Sequence, residues 1–290
     1  MTRYEGRPLP RPDEEIVDQG LGFDIGTLLS RRQTLRALGL GAVSIGLVAC
    51  GDDDTGSSAT TTSASTTTTT TSAATSSGTA VTEEIPQETA GPYPGDGSNG
   101  PDVLEQSGIV RADIRSSFGD FSGTAEGVPM TLELTIYNLA ENSAPYEGAA
   151  VYVWHCTREG GYSLYSQGVT DQNYLRGVQV AGPDGKVMYT SIFPGCYSGR
   201  WPHIHFEVYP DQATITDAAN ALTTSQVALP EDVCKEVYAQ SGYEQSVSNL
   251  AKVSLATDNV FSDDQGVHQL ATVSGDASNG YTVSLGVGVG

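Results

Sequence analysis

Short apolar segments separated by glycine- and proline-rich turns recur through the C-terminal two thirds of this 290-residue chain. Leu132, Leu134 and Ile136 alternate with polar residues, which is the pattern of a strand with one buried face. Residues 149–156 are apolar almost throughout, as expected for a strand buried on both faces. The turn sequence at 182–185, Gly-Pro-Asp-Gly, separates two more strand-like segments and predicts a hairpin. Strands at this spacing predict a mainly β fold, an antiparallel β-sandwich.

Helical patterns are confined to the C-terminal part of the chain. Residues 230–240 start with proline, followed by Glu231 and Asp232, an arrangement that favours a helix N-terminus. Residues 217–222 and 244–252 also have helical character. We therefore expect a few short helices beside the sandwich. The remaining strand-like segments are 109–114, 178–180, 187–192, 203–208, 268–273 and 281–287.

The chain is strongly acidic, with a formal net charge of −21. Such a charge repels nucleic acid and anionic membrane surfaces, so we exclude both as partners of the folded domain.

The N-terminal region has the features of an export signal. Arg31 and Arg32 precede an apolar run at 38–49, which is too short for a permanent membrane span but suits a signal-peptide core. The run ends in Leu-Val-Ala-Cys, which resembles a lipobox with Cys50 as the lipid-bearing residue. We expect residues 1–49 to be a twin-arginine lipoprotein signal peptide; a buried helix is the alternative.

A polar, low-complexity stretch follows Cys50. It consists almost entirely of Ser, Thr, Ala, Gly and Asp, which cannot bury enough apolar surface to fold. We expect 50–82 to be a disordered stalk and 83–290 to be the globular domain. The chain would then be a cell-envelope lipoprotein on the extracytoplasmic side of the membrane, held there by the lipid on Cys50.

Two histidines stand out within the strand-like segment 203–208. His203 and His205 are two residues apart, so both imidazoles leave the same face of the strand, and the chain has only four histidines. Tyr197 lies just upstream on a glycine-rich loop, and Tyr162 follows the buried strand at 149–156. A polar strand face without metal is the alternative interpretation. The two nearby tyrosines, which can also act as ligands, favour a metal site.

This donor set indicates which metal would bind. Phenolate is a hard anionic ligand whose pKa a strongly charged cation depresses. Two neutral imidazoles and two phenolates would leave one positive charge on Fe³⁺, which hydroxide or a substrate oxygen would cancel. Zinc sites draw instead on Cys, His and carboxylates.

Several motifs occur in an order that resembles one known family. They are Thr-Ala-Gly-Pro-Tyr at 89–93, Arg-Ala-Asp-Ile at 111–114, Val-Trp-His-Cys through Gly-Tyr-Ser at 153–163, Leu-Arg-Gly at 175–177, Phe-Pro-Gly-Cys-Tyr-Ser-Gly-Arg at 193–200 and His-Ile-His-Phe at 203–206. Together they resemble the intradiol ring-cleavage dioxygenases, the family of catechol and protocatechuate dioxygenases. The resemblance covers roughly residues 83–230, and an ordered series is more specific than any single motif.

The resemblance implies an iron enzyme that opens catechol-type rings with O₂ between the two hydroxyl carbons and forms muconate-type diacids. It implies a β-sandwich with one non-haem Fe³⁺, and a Tyr197 that leaves the metal during turnover. Arg200 would stabilise negative charge on the substrate, and Gln226 would assist the oxygen chemistry. The implied iron ligands are Tyr162, Tyr197, His203 and His205.

The chain departs from the family in three respects. Thr157 stands where the family has aspartate, and the segment between His205 and Gln226 is longer. The helical dimerisation region of cytosolic catechol dioxygenases is absent from this sequence, so a homo-oligomer is possible but their dimer cannot be assumed.

The remaining histidines and cysteines receive structural roles. We expect His155 and His268 to be held by hydrogen bonds. Cys156 belongs to the family's strand pattern, which suggests a disulfide between Cys196 and Cys234 that ties the Tyr197 loop to the C-terminal helix, although sequence alone leaves the pairing open.

Two other classes of function remain open at this stage. The chain could be a surface-tethered sandwich that binds an aromatic or sugar ligand without chemistry. It could also be a metal hydrolase that uses the same histidine pair, although a carboxylate ligand is missing.

Overall fold

The structure is a computed structural model that describes residues 81–290 and two short strands near the N-terminus. These strands, β1 (Arg3–Tyr4) and β2 (Arg7–Pro8), pair antiparallel. The predicted signal peptide and stalk, with Cys50, lie almost wholly outside the described residues. Among the described residues, no helix combines the length and the apolar character that crossing a membrane requires.

Nine strands and two short α-helices make up the regular part of residues 81–290. The helices are α1 (Glu231–Tyr238) and α2 (Glu244–Leu250). The strands are β3 (Pro129–Asn138), β4 (Ala144–Pro145), β5 (Ala150–Trp154), β6 (Arg176–Val180), β7 (Lys186–Ile192), β8 (His203–Tyr209), β9 (Thr223–Ala228), β10 (Thr272–Asp276) and β11 (Gly280–Val289).

The strands form two sheets. One has the order β10-β11-β3, and β3 also pairs with β7 along its first part and with β4 at its end. The other has the order β6-β5-β8-β9 and is antiparallel throughout. In the first sheet β3 and β11 pair in parallel, and the other pairs are antiparallel. The predicted mainly β sandwich is confirmed.

The main core lies between the two sheets. Leu132, Leu134 and Ile136 of β3 are almost fully buried, whereas the residues between them are half-buried, as their alternation predicts. They share one apolar cluster with alternate residues of β5 and β8, namely Val151, Val153, Ile204, Phe206 and Val208. Burying one such side chain stabilises the fold by about 1.5–3 kcal/mol.

The four-stranded sheet is also covered on its other face. Tyr152 and Trp154 of β5 pack against Val103, Leu104 and Ile109 from the long segment that precedes β3. All five residues of β5 are fully buried, which confirms the prediction for this strand. A polar residue on the outer face of this sheet therefore lies inside the protein rather than at its surface.

Two predicted elements differ from the structure. The turn at 182–185 joins the two sheets and does not form a hairpin, because β6 pairs with β5 whereas β7 pairs with β3. Turn residues determine that the chain reverses, but not whether the two arms bond to each other. Residues 109–114 make only isolated bridges, through Val110 to Val178 and Asp113 to Thr190.

The predicted helices in the C-terminal part of the chain agree with the structure. Both helices occur where their patterns predict them, and residues 218–220 form a single turn of 3₁₀ helix. The strand expected at 268–273 begins only at Thr272.

Tyr189 links the two sheets directly. Its hydroxyl, fully buried on β7, donates a hydrogen bond of 2.6 Å to the Val151 carbonyl on β5. We expect Tyr189→Phe to lower the free energy of unfolding by about 1 kcal/mol, because one buried hydrogen bond is lost. Tyr137→Phe on β3 is the control, since this ring is half-buried and water can replace any partner of its hydroxyl. Equal unfolding free energies of the two variants in urea titrations would contradict this role.

Candidate metal centre

The pairing of β8 aims both histidines into the covered outer face of the four-stranded sheet. His205 lies opposite Trp154 on β5 and Gln226 on β9. Its ring stacks on the Trp154 indole, with ring centres 4.8 Å apart and planes within 5°. His203 and His205 are each only 2% exposed, and their Nε2 atoms lie 3.1 Å apart. The predicted convergence of the two imidazoles is confirmed.

A tight turn after β5 delivers Tyr162 to the histidines. Thr157 closes this turn, donating its backbone N–H to the Gly161 carbonyl and accepting the Gly161 N–H on its side-chain oxygen. The Tyr162 ring packs against Tyr93, with ring centres 5.1 Å apart. The Tyr162 hydroxyl lies 3.5 Å from the Nε2 atom of His203. Thr157 thus shapes the turn in this chain.

Helix α2 holds the loop that carries Tyr197. The Ser246 hydroxyl accepts the backbone N–H of Cys196 at 2.9 Å, and the Asn249 amide donates to the Cys196 carbonyl at 2.8 Å. The Tyr197 hydroxyl, on the next residue, lies 3.2 Å from Nε2 of His203.

The predicted disulfide between Cys196 and Cys234 is not formed in the structure. Cys156, Cys196 and Cys234 are all buried free thiols. The Cys196 thiol donates to the Arg200 carbonyl, 3.5 Å away, within its own loop. The two hydrogen bonds from α2, rather than a covalent link to α1, tie this loop to the helices.

Three of the four donor groups approach one lone pair on the fourth. Nδ1 of His203 donates to the Trp201 carbonyl, so its Nε2 offers a single lone pair. Tyr162, Tyr197 and His205 all approach that atom, at 3.5, 3.2 and 3.1 Å. The Tyr162 and Tyr197 side chains also bond to each other, but Tyr197 and His205 still compete for this lone pair. A cation would accept a lone pair from each of the four groups.

The spacing also suits a metal ion. Atoms bound about 2.1 Å from one ion, at angles of 90–109°, lie about 3.0–3.4 Å from one another. The residues present therefore fit a metal centre with two imidazole and two phenol ligands.

Burial determines the charge of each donor. It lowers the pKa of His203 to about 3, with help from the nearby Arg200 charge, and lowers the pKa of His205 well below its usual value. It raises the pKa of Tyr197 to about 12 and that of Tyr162 well above its usual value. The imidazoles are neutral ligands, and only a strongly charged cation can ionise the phenols.

Arg200 lies next to the four donors in a fixed geometry. Its Nη2 donates to the side-chain oxygen of Gln226 at 2.7 Å, and its Nε donates to Asp258 at 3.0 Å. The Gln226 amide in turn donates to the Thr89 carbonyl at 2.9 Å, so these residues link the start of the domain to β9. The structure places Gln226 beside Arg200 and on the strand next to His205.

Sequence reasoning missed Asp258. Its carboxylate is fully buried, and although burial would raise its pKa, the Arg200 guanidinium holds that pKa below the usual value. An aspartate before a short helical turn is a common cap, so only this capping role could have been predicted. Nothing in the sequence connects it with an arginine 58 residues earlier.

Other candidate ligands have different roles. His155 is buried and hydrogen-bonded to Ser191 and the Cys156 carbonyl, so its structural assignment is confirmed. His268 lies in an exposed turn, outside the strand expected for it, and contacts Glu83 at the surface. Glu207 shares the outer face with the two histidines, but Tyr209 donates to its carboxylate at 2.8 Å. No group of three His, Cys, Asp or Glu side chains within the described part of the chain could hold a metal.

A polar cleft of about 720 Å³ opens beside Tyr197. Its walls include Glu159, Gln167, Gln245 and Lys252. Tyr197 is partly exposed, whereas Tyr162 is only 2% exposed. Of the two phenols, Tyr197 is therefore the one with room to move.

Comparisons with known proteins bear on the fold of the chain. No family model matches the chain. A chlorocatechol 1,2-dioxygenase from Rhodococcus opacus is 33% identical over 89 residues, a match that covers 24% of this chain and only 35% of that enzyme. The intradiol ring-cleavage dioxygenase from Tetranychus urticae superposes with a TM-score of 0.56 and 22% identity, over 71% of this chain and 94% of that one. The structural likeness establishes a shared fold. The chain spans about a third of the length of the curated relative that it matches.

Gly91 allows the N-terminal segment to pass close to the metal centre. It has a left-handed backbone (φ +69°), and a Cβ atom here would lie 3.3 Å from the His205 ring. We expect Gly91→Ala to lower both the unfolding free energy, by about 1–2 kcal/mol, and the metal bound per chain, because the new methyl group crowds His205.

Gly119→Ala is the matched control for this change. Gly119 has nearly the same backbone (φ +64°), but nothing lies within 4 Å of its Cβ position. The Gly119→Ala variant should lose a similar unfolding free energy but bind as much metal as the wild type, as measured by elemental analysis. Equal metal content in the two variants would contradict the crowding.

Proposed function

We propose that this chain is a non-haem Fe³⁺ intradiol dioxygenase. It would insert both atoms of O₂ into a catechol-type aromatic, cleave the ring between the two hydroxyl carbons and release a muconate-type diacid. The observation that carries the proposal is the convergence of Tyr162, Tyr197 and His205 on one lone pair of His203. These four residues occupy the positions that the sequence resemblance assigns to iron ligands.

The donor set favours Fe³⁺ over other cations. Two buried phenols with raised pKa values ionise only beside a strongly charged ion. Two phenolates and two neutral imidazoles would leave one positive charge on Fe³⁺. A hydroxide or one substrate oxygen would cancel this charge. When bound, Fe³⁺ would hold the catechol as a dianion and make its ring reactive towards O₂.

Residues of the chain would bind and orient the substrate. Tyr197, the more exposed phenol, would leave the metal and take up one catechol proton on its phenolate oxygen, and the hydroxide would take up the other to become water. The buried Arg200 guanidinium would stabilise negative charge on the substrate. Gln226, which accepts a hydrogen bond from Arg200, would assist the reaction with O₂ by holding Arg200 in place. Trp154 and the covering N-terminal segment would exclude bulk water from the buried histidines.

The relatives bear on the class of substrate. One is named a chlorocatechol 1,2-dioxygenase, and it matches this chain over 35% of its own length. We include catechol, protocatechuate, hydroxyquinol and chlorinated catechols in the proposed class.

Tyr162→Phe tests the ligand set. We expect the iron-loaded wild-type protein to be red-brown, from charge transfer between tyrosinate and iron, and to consume oxygen with at least one catechol. Tyr162→Phe should lose oxygen uptake and much of the colour, because one of the two phenolate ligands is removed and only Tyr197 remains for charge transfer. Visible absorption, iron content and oxygen uptake measure the three quantities.

Tyr174→Phe is the control for this substitution. Tyr174 is buried, 7% exposed, and its hydroxyl lies outside the donor set, so its removal should leave colour and turnover intact. A colourless wild-type protein that binds stoichiometric zinc and no iron would overturn the proposal. Catechol binding without oxygen uptake in the iron-loaded protein would favour a binding module instead.

We further propose, from the sequence, that the enzyme is exported by the twin-arginine route and anchored by lipid on Cys50. The paired arginines, the apolar run and the lipobox-like sequence support this location. Cells that express the full chain should place it in the membrane fraction and label it with radioactive palmitate. Cys50→Ser should remove the label, because the thiol carries the lipid. Unlabelled wild-type chain in the soluble fraction would exclude the anchor.

A further inference from the structure

Asp258 makes more contacts than a cap requires. Its Oδ1 accepts the backbone N–H groups of Val260 and Phe261, at 2.9 and 3.1 Å, where the chain enters the short helical turn that follows. Its Oδ2 accepts the Nε of Arg200 at 3.0 Å and the backbone N–H of Trp201 at 2.6 Å. The first oxygen thus serves mainly the local turn, whereas the second holds the residues just before His203.

The guanidinium is fixed from two sides. Asp258 binds its Nε edge, with a longer contact of 3.4 Å to Nη2, and Gln226 binds Nη2 at 2.7 Å. Nη1 takes part in none of these bonds. The side chain of Arg200 is 12% exposed, so it has little freedom to turn. Asp258 and Gln226 therefore set the direction in which the remaining N–H groups point.

Asp258 also balances charge at the centre. Arg200 lies close to the donors, because its Nη2 is bonded to Gln226, which pairs with His205 across β8 and β9. An uncompensated guanidinium there would repel any cation held by the four donors. The fully buried carboxylate of Asp258 cancels the charge of Arg200, so the pair adds no net charge to the site.

We propose that Asp258 is a positioning residue for the ring-cleavage reaction, which acts by holding Arg200 in the orientation that contacts substrate. This inference rests on the proposed function. Asp258 itself touches neither the donor atoms nor the substrate, so its influence passes through Arg200. A role confined to capping the local turn would not depend on Arg200.

A double-mutant cycle separates these two roles. Asp258→Asn keeps an oxygen for the local cap but removes the charge and the acceptor that hold Arg200. We expect it to lower kcat/KM for the preferred catechol by about tenfold to a hundredfold, because a displaced guanidinium no longer meets the substrate. In an Arg200→Met background the same change should have no further effect, since its target is already gone. Equal losses in both backgrounds would overturn the proposal.

Other measurements keep the test decisive. Both proteins are loaded with iron to saturation and kcat/KM is expressed per bound iron, because the uncompensated charge of Arg200 weakens iron binding in Asp258→Asn. At saturation the visible absorption of the variant should match that of the wild type, because all four ligands are present. Where Arg200→Met turns over too slowly to measure, the cycle is read from the dissociation constant of catechol without oxygen. Asp113→Asn is the control, because Asp113 pairs with Arg115 in a similar but exposed contact of 2.6 Å. It should leave kcat/KM unchanged.

Failure of the proposed function is distinguishable from failure of this inference. Absence of oxygen uptake and catechol binding in wild-type protein would reject the dioxygenase. Exchange of the Arg200 Nε proton, followed by NMR with Ga³⁺ in place of iron, does not depend on turnover. Slow exchange in the wild type and fast exchange in Asp258→Asn would support the proposal that Asp258 holds Arg200. Equal exchange rates would refute it.

Discussion

Strand β8 is hydrogen-bonded on both sides and covered on both faces, and the candidate site depends on this constraint. Pairing with β5 and β9 fixes which side chains share a face, since a shift of one residue would turn His203 and His205 into the sandwich core. The stacked Trp154 and neighbouring Gln226 are consequences of the same register. The chemistry thus begins on a rigid strand, and loops supply the remaining groups.

The loops that carry the tyrosines are secured in different ways. Tyr162 sits on a turn closed by Thr157 and packs against Tyr93, deep in the protein. Tyr197 sits on a loop fastened to α2 by two hydrogen bonds and faces a polar cleft. The two phenols reach the same nitrogen, but only one of them borders open space. This asymmetry agrees with a site in which one phenol ligand stays and the other leaves.

Local patterns predicted much of this arrangement, and their failures have a common cause. Alternation identified β3 and β8, continuous apolarity identified β5, and proline with acidic residues identified α1, because each depends on neighbours in the chain. The turn at 182–185 was wrongly taken for a hairpin because pairing partners come from elsewhere in the sequence. The predicted Cys196–Cys234 disulfide was wrong for a similar reason. The Cys196 thiol donates to a carbonyl of its own loop, and the fold of that loop determines this partner.

The sequence by itself determined the identities and order of the donors: two histidines on one strand face, two tyrosines after turns and an arginine between them. Strand periodicity and ligand chemistry are local properties, so they can be recognised without coordinates. The tertiary structure alone decided that the other three donors lie within 3.5 Å of the Nε2 atom of His203. It also brought Asp258 to Arg200 across 58 residues. Such contacts depend on how sheets, loops and the C-terminal segment pack together, and no short stretch of sequence encodes that packing.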